Sequence, residues 1–156
     1  MSNLEKDLNP DTFIGISLPL DYGSNGFFNQ TRTTLQQVRH NIKNLLLTIK
    51  GERLGNPTFG SELMRVVFEP DDSDIAAKVE EAIRSAISEW MSFVQVDEVN
   101  VTSDPYNQNQ INVSIKFKLN MDNNVQTINL NLGPDAPFNQ YEVSDAETGE
   151  FETDYT

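Results

Sequence analysis

Apolar residues recur along this chain with two periods, and the switch between them divides it. From Thr33 or Thr34, either a usable N-cap, the apolar residues Leu35, Val38, Ile42, Leu45, Leu46 and Ile49 fall at helical spacing on one face. Gly51 after Lys50 predicts the helix stop, with a cation in the last turn to suit the dipole. A second helical face, Ile75, Val79, Ala82, Ile83, Ala86, Ile87 and Trp90, follows the run Asp71-Asp72-Ser73-Asp74, which offers an N-cap and first-turn acids. Beyond Trp90 the period drops to two. "VQVDEVNV" leads into the turn-rich "SDPYNQNQ"; Ile111, Val113, Ile115, Phe117 and Leu119 then alternate strictly, "MDNN" reverses the chain, and Ile128, Leu130 and Leu132 alternate again. The pattern predicts an α+β fold: two main amphipathic helices and a short helix packed on a small three-stranded antiparallel sheet.

The segment joining the helices is unusually specified. In "GERLGNPTFGSEL", Asn56-Pro57 biases the backbone toward an extended or turn conformation, and Gly60 admits dihedral angles that other residues resist. Gly51, Asn56, Pro57 and Gly60 therefore read as a shaped structural loop. Phe59 can anchor it, and Arg53 can bind loop carbonyls or fork onto a carboxylate. Ser61 can cap a short helix bearing Leu63, Val66 and Val67.

Both ends depart from these periods. Residues 1–32 read as an arm, in which "FIGISLPL" spaces Phe13, Ile14, Ile16, Leu18 and Leu20 mostly two apart. Such a segment needs something to lie on, either its own domain or a neighbour. Residues 133–156 hold two prolines and seven acids without a Lys or Arg, so they read as an acidic tail. Residues 33–132 remain as the core domain.

Composition then removes function classes. The chain has 156 residues, a net charge of −13 and no cysteine, which excludes disulfides, thiolate metal sites and a thiol nucleophile. No run approaches the ~20 apolar residues of a membrane span, and "MSNLEKDLNP" lacks the layout of a signal peptide, so no membrane role and a cytoplasmic origin are expected. Three glycosylation-type sequons, at Asn29, Asn100 and Asn112, read as chance in an Asn-rich chain. The acidity argues against nucleic-acid binding, which draws on clustered cations.

One region is basic. On the first helix Arg32, Arg39, Lys43 and Lys50 fall within about 40° of one another, beside the apolar face. This stripe is either a solvated face or a dock for an acidic surface. His40, the single histidine, lies off the apolar face and reads as solvated. "DDSD" does not continue as a calcium loop, because Ala76 stands where the fifth position of that motif requires Asp or Asn. Glu52, Glu62 and Glu69 could be imagined as a glycosidase pair, but no aromatic cleft accompanies them. No catalytic residue, metal site, cofactor or small-molecule substrate is expected.

The ordered set "VRHNIKNLLLTIKGERLGNPTFGSEL", "VFEP", an amphipathic helix and three strands resembles the baseplate wedge and sheath-initiator family of contractile-tailed bacteriophages, which has a counterpart in type VI secretion baseplates. The likeness spans roughly residues 33 to 132. The resemblance implies a structural protein near the tail-tube axis that presents the first platform for sheath subunits, although some members carry a lysozyme label. Its implied partners are other wedge and hub-proximal baseplate proteins, the first ring of sheath subunits and the tail tube, in a virion tail baseplate assembled in the host cytoplasm. A small sheet with a free edge can accept an extended segment by strand addition, the exchange the resemblance suggests for sheath assembly. Many members have Glu-Pro-Arg after the second long helix, where this chain has Met91, Ser92 and Phe93. That departure implies either a rewired, more hydrophobic contact there or a divergent branch of the family. Arg32, Arg39, Lys43, Lys50, Arg53, Phe59, Met91 and Phe93 are the candidate partner-binding residues. A secretion-type baseplate subunit and a peptidoglycan-cleaving glycosidase are the alternatives.

Overall fold

The computed structural model of the chain describes residues 7, 9, 11–18, 20, 22, 28–68, 74–103, 110–120 and 122–133. The elements run β1 (Gly15–Ile16), β2 (Gln30–Thr31), α1 (Thr34–Leu47), α2 (Leu63–Val67), α3 (Ile75–Trp90), β3 (Val94–Ser103), β4 (Ile111–Leu119) and β5 (Asp122–Leu132). The predicted turn over 104–109, residues 71–73 of the acidic run, Glu69, Met121 and the tail from 134 onward lie outside the described residues. Residues 1–45 and 46–156 form two compact units.

In the first unit, α1 begins where the threonines place it. Thr33 Oγ1 accepts from the Gln36 amide at 3.2 Å, and the Gln36 side chain reaches back to accept from the Thr33 amide at 3.4 Å. This is a capping box with Gln as its third residue, and it satisfies donors that a helix start leaves open. Asp7 adds a carboxylate from far along the chain, accepting from the Thr34 amide at 2.8 Å and its hydroxyl at 2.9 Å. Val38, Ile42 and Leu45 are buried, as their spacing predicts.

The short strands β1 and β2 pair antiparallel, Gly15 opposite Thr31 and Ile16 opposite Gln30. A Cβ at Gly15 would run into the Gln37 amide, so glycine lets the arm lie close to α1. Gln37 uses that position to accept from Thr31 Oγ1 at 2.6 Å.

In the second unit, β3, β4 and β5 form the predicted antiparallel meander, with β4 central. Ile111, Val113, Ile115 and Phe117 of β4 are buried, as are Ile128, Leu130 and Leu132 of β5. Strand β3 explains itself through its valines. Val94, Val96, Val99 and Val101 are spaced two, three and two apart, and an odd gap turns later residues to the wrong face. A bulge between Val96 and Glu98 absorbs the extra residue, so that Val96 opposes Phe117, Val99 opposes Ile115 and Val101 opposes Val113.

Helix α3 packs along β3 and α2 packs on α3. Val79, Ile83, Ala86 and Ile87 are its buried stripe. Asp74 is its N-cap residue, yet the side chain makes no cap bond. The expected capping role is therefore not filled by Asp74.

Candidate interaction sites

The loop after α1 is built from its backbone outward. The helix was expected to run to Lys50, but it ends at Leu47. The reason is competition for its last carbonyls: the Ser61 amide takes Thr48 O at 2.9 Å, and Ser61 Oγ donates to Leu46 O at 2.7 Å. Ile49 and Ser61 then form a parallel bridge. Gly60 makes this approach possible, with φ of 125° and a position where a Cβ would lie 2.5 Å from Thr48 O. Ser61 also accepts from the Leu63 amide at 3.2 Å, although the N-cap position of α2 is Glu62, one residue later than expected, and its side chain makes no cap bond.

Further out, Gly51 N donates to Pro57 O at 2.8 Å and closes the loop, while Phe59 N donates to Asn56 O at 3.1 Å. Arg53 lies over the Phe59 ring at 4.0 Å, and Phe59 meets Trp90 edge-on at 5.2 Å. Lys50 pairs with Glu89 at 3.3 Å. Two links therefore tie the loop to the end of α3. Met91 is buried just beyond it, whereas Phe93 is exposed.

The basic stripe of α1 is not one surface. Arg32 is exposed and lies over the Phe13 ring at 5.1 Å, while Arg39 and Lys43 are buried, only 8% and 5% exposed. Burial, and then the Arg39 charge, bring the Lys43 amine down from 10.5 to about 8. His40 is half-buried rather than solvated, because the arm reaches it: its Nδ1 lies 3.1 Å from both the amide and the carbonyl of Leu18. Burial first, then Lys43 and Arg39, lower its pKa against the opposing effect of the Leu18 bond. Arg39 and Lys43 follow the helical angle that the sequence predicts, but that angle does not reveal their burial.

The sheet presents two different edges. On β3, Asp97 is the extra residue at the bulge. Arg84 of α3 donates there to Val96 O at 2.8 Å and Asp97 O at 3.3 Å, and its Nε pairs with Glu80 at 2.7 Å. Lys116 and Lys118 of β4 pair with Glu98 and Asp97. This edge is kinked, charged and partly capped by a side chain. On β5, register with β4 is continuous from Gln126–Phe117 to Leu132–Ile111, and residues 123–132 include no charge and no proline. The outer face above it holds a depression of about 410 Å³ lined by Asn100, Thr102, Asn112, Ser114, Asn129 and Asn131, all neutral. Sequence reading missed Arg84, although the gap between Val96 and Val99 already required a bulge and hence free carbonyls.

No curated protein sequence matches the chain significantly. Among solved structures, a Geobacter sulfurreducens protein named as a candidate tail lysozyme aligns with a TM-score of 0.60 at 16% identity, over 66% of this chain and 93% of the other. A chain of the anti-feeding prophage baseplate, seen by cryo-electron microscopy with six-fold symmetrisation, aligns with a TM-score of 0.58 at 17% identity, over 67% of this chain and 82% of the other. At these identities the likeness establishes the fold. A sequence profile described as Baseplate wedge protein gp25 matches residues 32–124. With more than half of its length matched, the chain belongs to the family of baseplate wedge protein gp25.

Proposed function

We propose that this chain is a structural wedge component of a contractile baseplate, and that it primes sheath polymerisation by offering β5 as a template edge. Family membership supports the baseplate role, and the contrast between the two sheet edges carries the finer reading. An incoming strand needs a straight row of backbone donors and acceptors. The β5 edge supplies one over 126–132, whereas the bulge and Arg84 interrupt β3. The partners are the first ring of sheath subunits, other wedge and hub-proximal proteins, and the tail tube, in a tail baseplate assembled in the host cytoplasm. A phage tail and a secretion-type particle would use the same edge.

The shared core is residues 33–132, with the arm 1–32 and the tail 133–156 as additions to it. Within the core, Arg53, Phe59 and Phe93 are the candidate contacts placed at the surface or on the loop, while Arg39, Lys43 and Met91 act through the fold that buries them. The role is non-catalytic. Of the acids imagined for glycoside cleavage, Glu52 accepts from the Ile49 amide at 3.2 Å and Glu62 pairs with Arg65 at 3.1 Å.

The test places lysines along the outward positions of the template edge, Asn129→Lys with Asn131→Lys. Lysine on an edge strand discourages pairing while the half-exposed outer face tolerates it. Particles should retain the chain but lack extended sheath in electron micrographs. Sheaths of normal length on such particles would end the template reading.

A further inference from the structure

The described part of the arm is held by polar groups, to itself and to α1, and leaves five of its large apolar side chains exposed while Ile14 and Leu18 are partly covered. Within the arm the Ile14 amide donates to Thr31 O at 2.9 Å and the Ser17 amide to Asn29 O at 2.9 Å; toward α1, Leu18 meets His40 Nδ1 at 3.1 Å and Asp7 accepts from the Thr34 amide at 2.8 Å. Meanwhile Phe13 is 49% exposed, Ile16 46%, Leu20 58%, Tyr22 86% and Phe28 47%. The arm thus covers some of its branched side chains, Ile14 and Leu18, and presents the other five large apolar ones to its surroundings, against the usual preference for burial. The composition sharpens this, because residues 12–31 contain a single charged residue, Asp21, in a chain of net charge −13.

We infer that the exposed apolar side chains of the arm, Phe13, Ile16, Leu20, Tyr22 and Phe28, seat against a neighbouring baseplate chain of different sequence that offers an uncharged apolar surface. This rests on the baseplate reading. Interface centres are depleted in charge and enriched in aromatic residues, and three of the five side chains are Phe or Tyr. A second copy of this chain is disfavoured as the occupant, since two bodies of charge −13 repel each other. The bonds at Asp7, Leu18 and Thr31 hold those points of the arm on α1 before the partner arrives, which lowers the entropic cost of docking. The arm precedes the family-matched residues 32–124, so the contact lies outside the matched segment.

Two variants test it in assembled particles. With p-benzoylphenylalanine introduced at position 16 in place of Ile16, irradiation should crosslink the chain to a polypeptide of different sequence, identified by mass spectrometry. In a second particle, Ile16→Ser with Leu20→Ser should lower occupancy of the chain about tenfold, a change equivalent to roughly 1.4 kcal/mol. Its thermal midpoint in isolation should stay that of the unmodified chain, which separates lost docking from lost folding. Crosslinks confined to the chain itself or to a second copy would overturn the inference, as would full occupancy of the serine variant. If the unmodified chain is missing from purified particles, the baseplate reading falls and this one with it.

Discussion

The two units of this protein differ in what they bury beside their apolar cores and in how densely they expose apolar side chains. Residues 46–156 bury Phe117, Ile115, Ile128 and Leu130 completely and set Asn and Thr on the outer face of the sheet. Residues 1–45 bury Val38, Ile42 and Leu45 but also two cations, Arg39 and Lys43, and expose Phe13, Ile16, Leu20, Tyr22 and Phe28, whereas among the described residues the second unit spreads as many exposed apolar side chains, Ile49, Leu54, Phe68, Phe93 and Val125, over more than twice the length. Burial of apolar surface drives folding. Apolar side chains gathered at the surface of one short segment are therefore the part of the chain where folding and docking can be told apart.

The sharpest way to break this contrast is a pair of phenylalanine truncations. Phe117→Ala removes a ring that is 0% exposed and should cost about 3–5 kcal/mol of unfolding free energy. Phe28→Ala, at 47% exposed, should change it by less than about 0.5 kcal/mol. Urea denaturation of each variant reports both. Equal costs would mean that the arm belongs to the folding core after all.

The sorting was only partly legible in the sequence. Strict alternation in β4 and β5 and the helical spacing in α1 and α3 are local, so the sheet and the helix faces could be written down directly. The loop was legible through Gly60 and Pro57, because glycine and proline restrict the backbone by their own chemistry. Arg39, Lys43 and His40 were not. The arm reaches His40 through Leu18, and helical angle alone cannot tell a solvated face from a covered one. The end of α1 was misplaced for the same reason, since Ser61 competes for its carbonyls from outside the helix.

Lys43 allows a second break. Its amine titrates near 8 in the folded chain against 10.5 ordinarily. Between those values the unfolded chain holds a proton that the folded chain lacks, so stability rises with pH across the window. Below 8 both states are protonated and the burial penalty is fully present. The gain is at most roughly 3 kcal/mol. Urea midpoints taken across the window should climb, and Lys43→Met should flatten the climb. An equal slope in the variant would place the charge elsewhere.

Two glycines refine the comparison within the second unit. Gly51 and Gly60 both have positive φ, of 96° and 125°, but a Cβ at Gly51 meets open space whereas one at Gly60 lies 2.5 Å from Thr48 O. Gly60→Ala should therefore cost about 2 kcal/mol or more and Gly51→Ala about 1. Matching thermal shifts for the two would show that backbone conformation alone sets the cost.

The smallest effect separates the two sheet edges. Arg84→Ala frees the carbonyls of Val96 and Asp97 at the bulge and removes a half-exposed pair with Glu80. Exposed ion pairs contribute little, so the expected loss is about 1 kcal/mol, most of it from the 2.8 Å bond to Val96. The bulge itself should persist, because the odd spacing of the β3 valines demands it. Sheath nucleation should also be unaffected, since β5 lies on the far side of β4 and keeps its seven-residue register from Gln126 to Leu132. A change in sheath nucleation with Arg84→Ala, and none with lysine on β5, would move the template to β3 and make the guanidinium a cap that the incoming strand displaces.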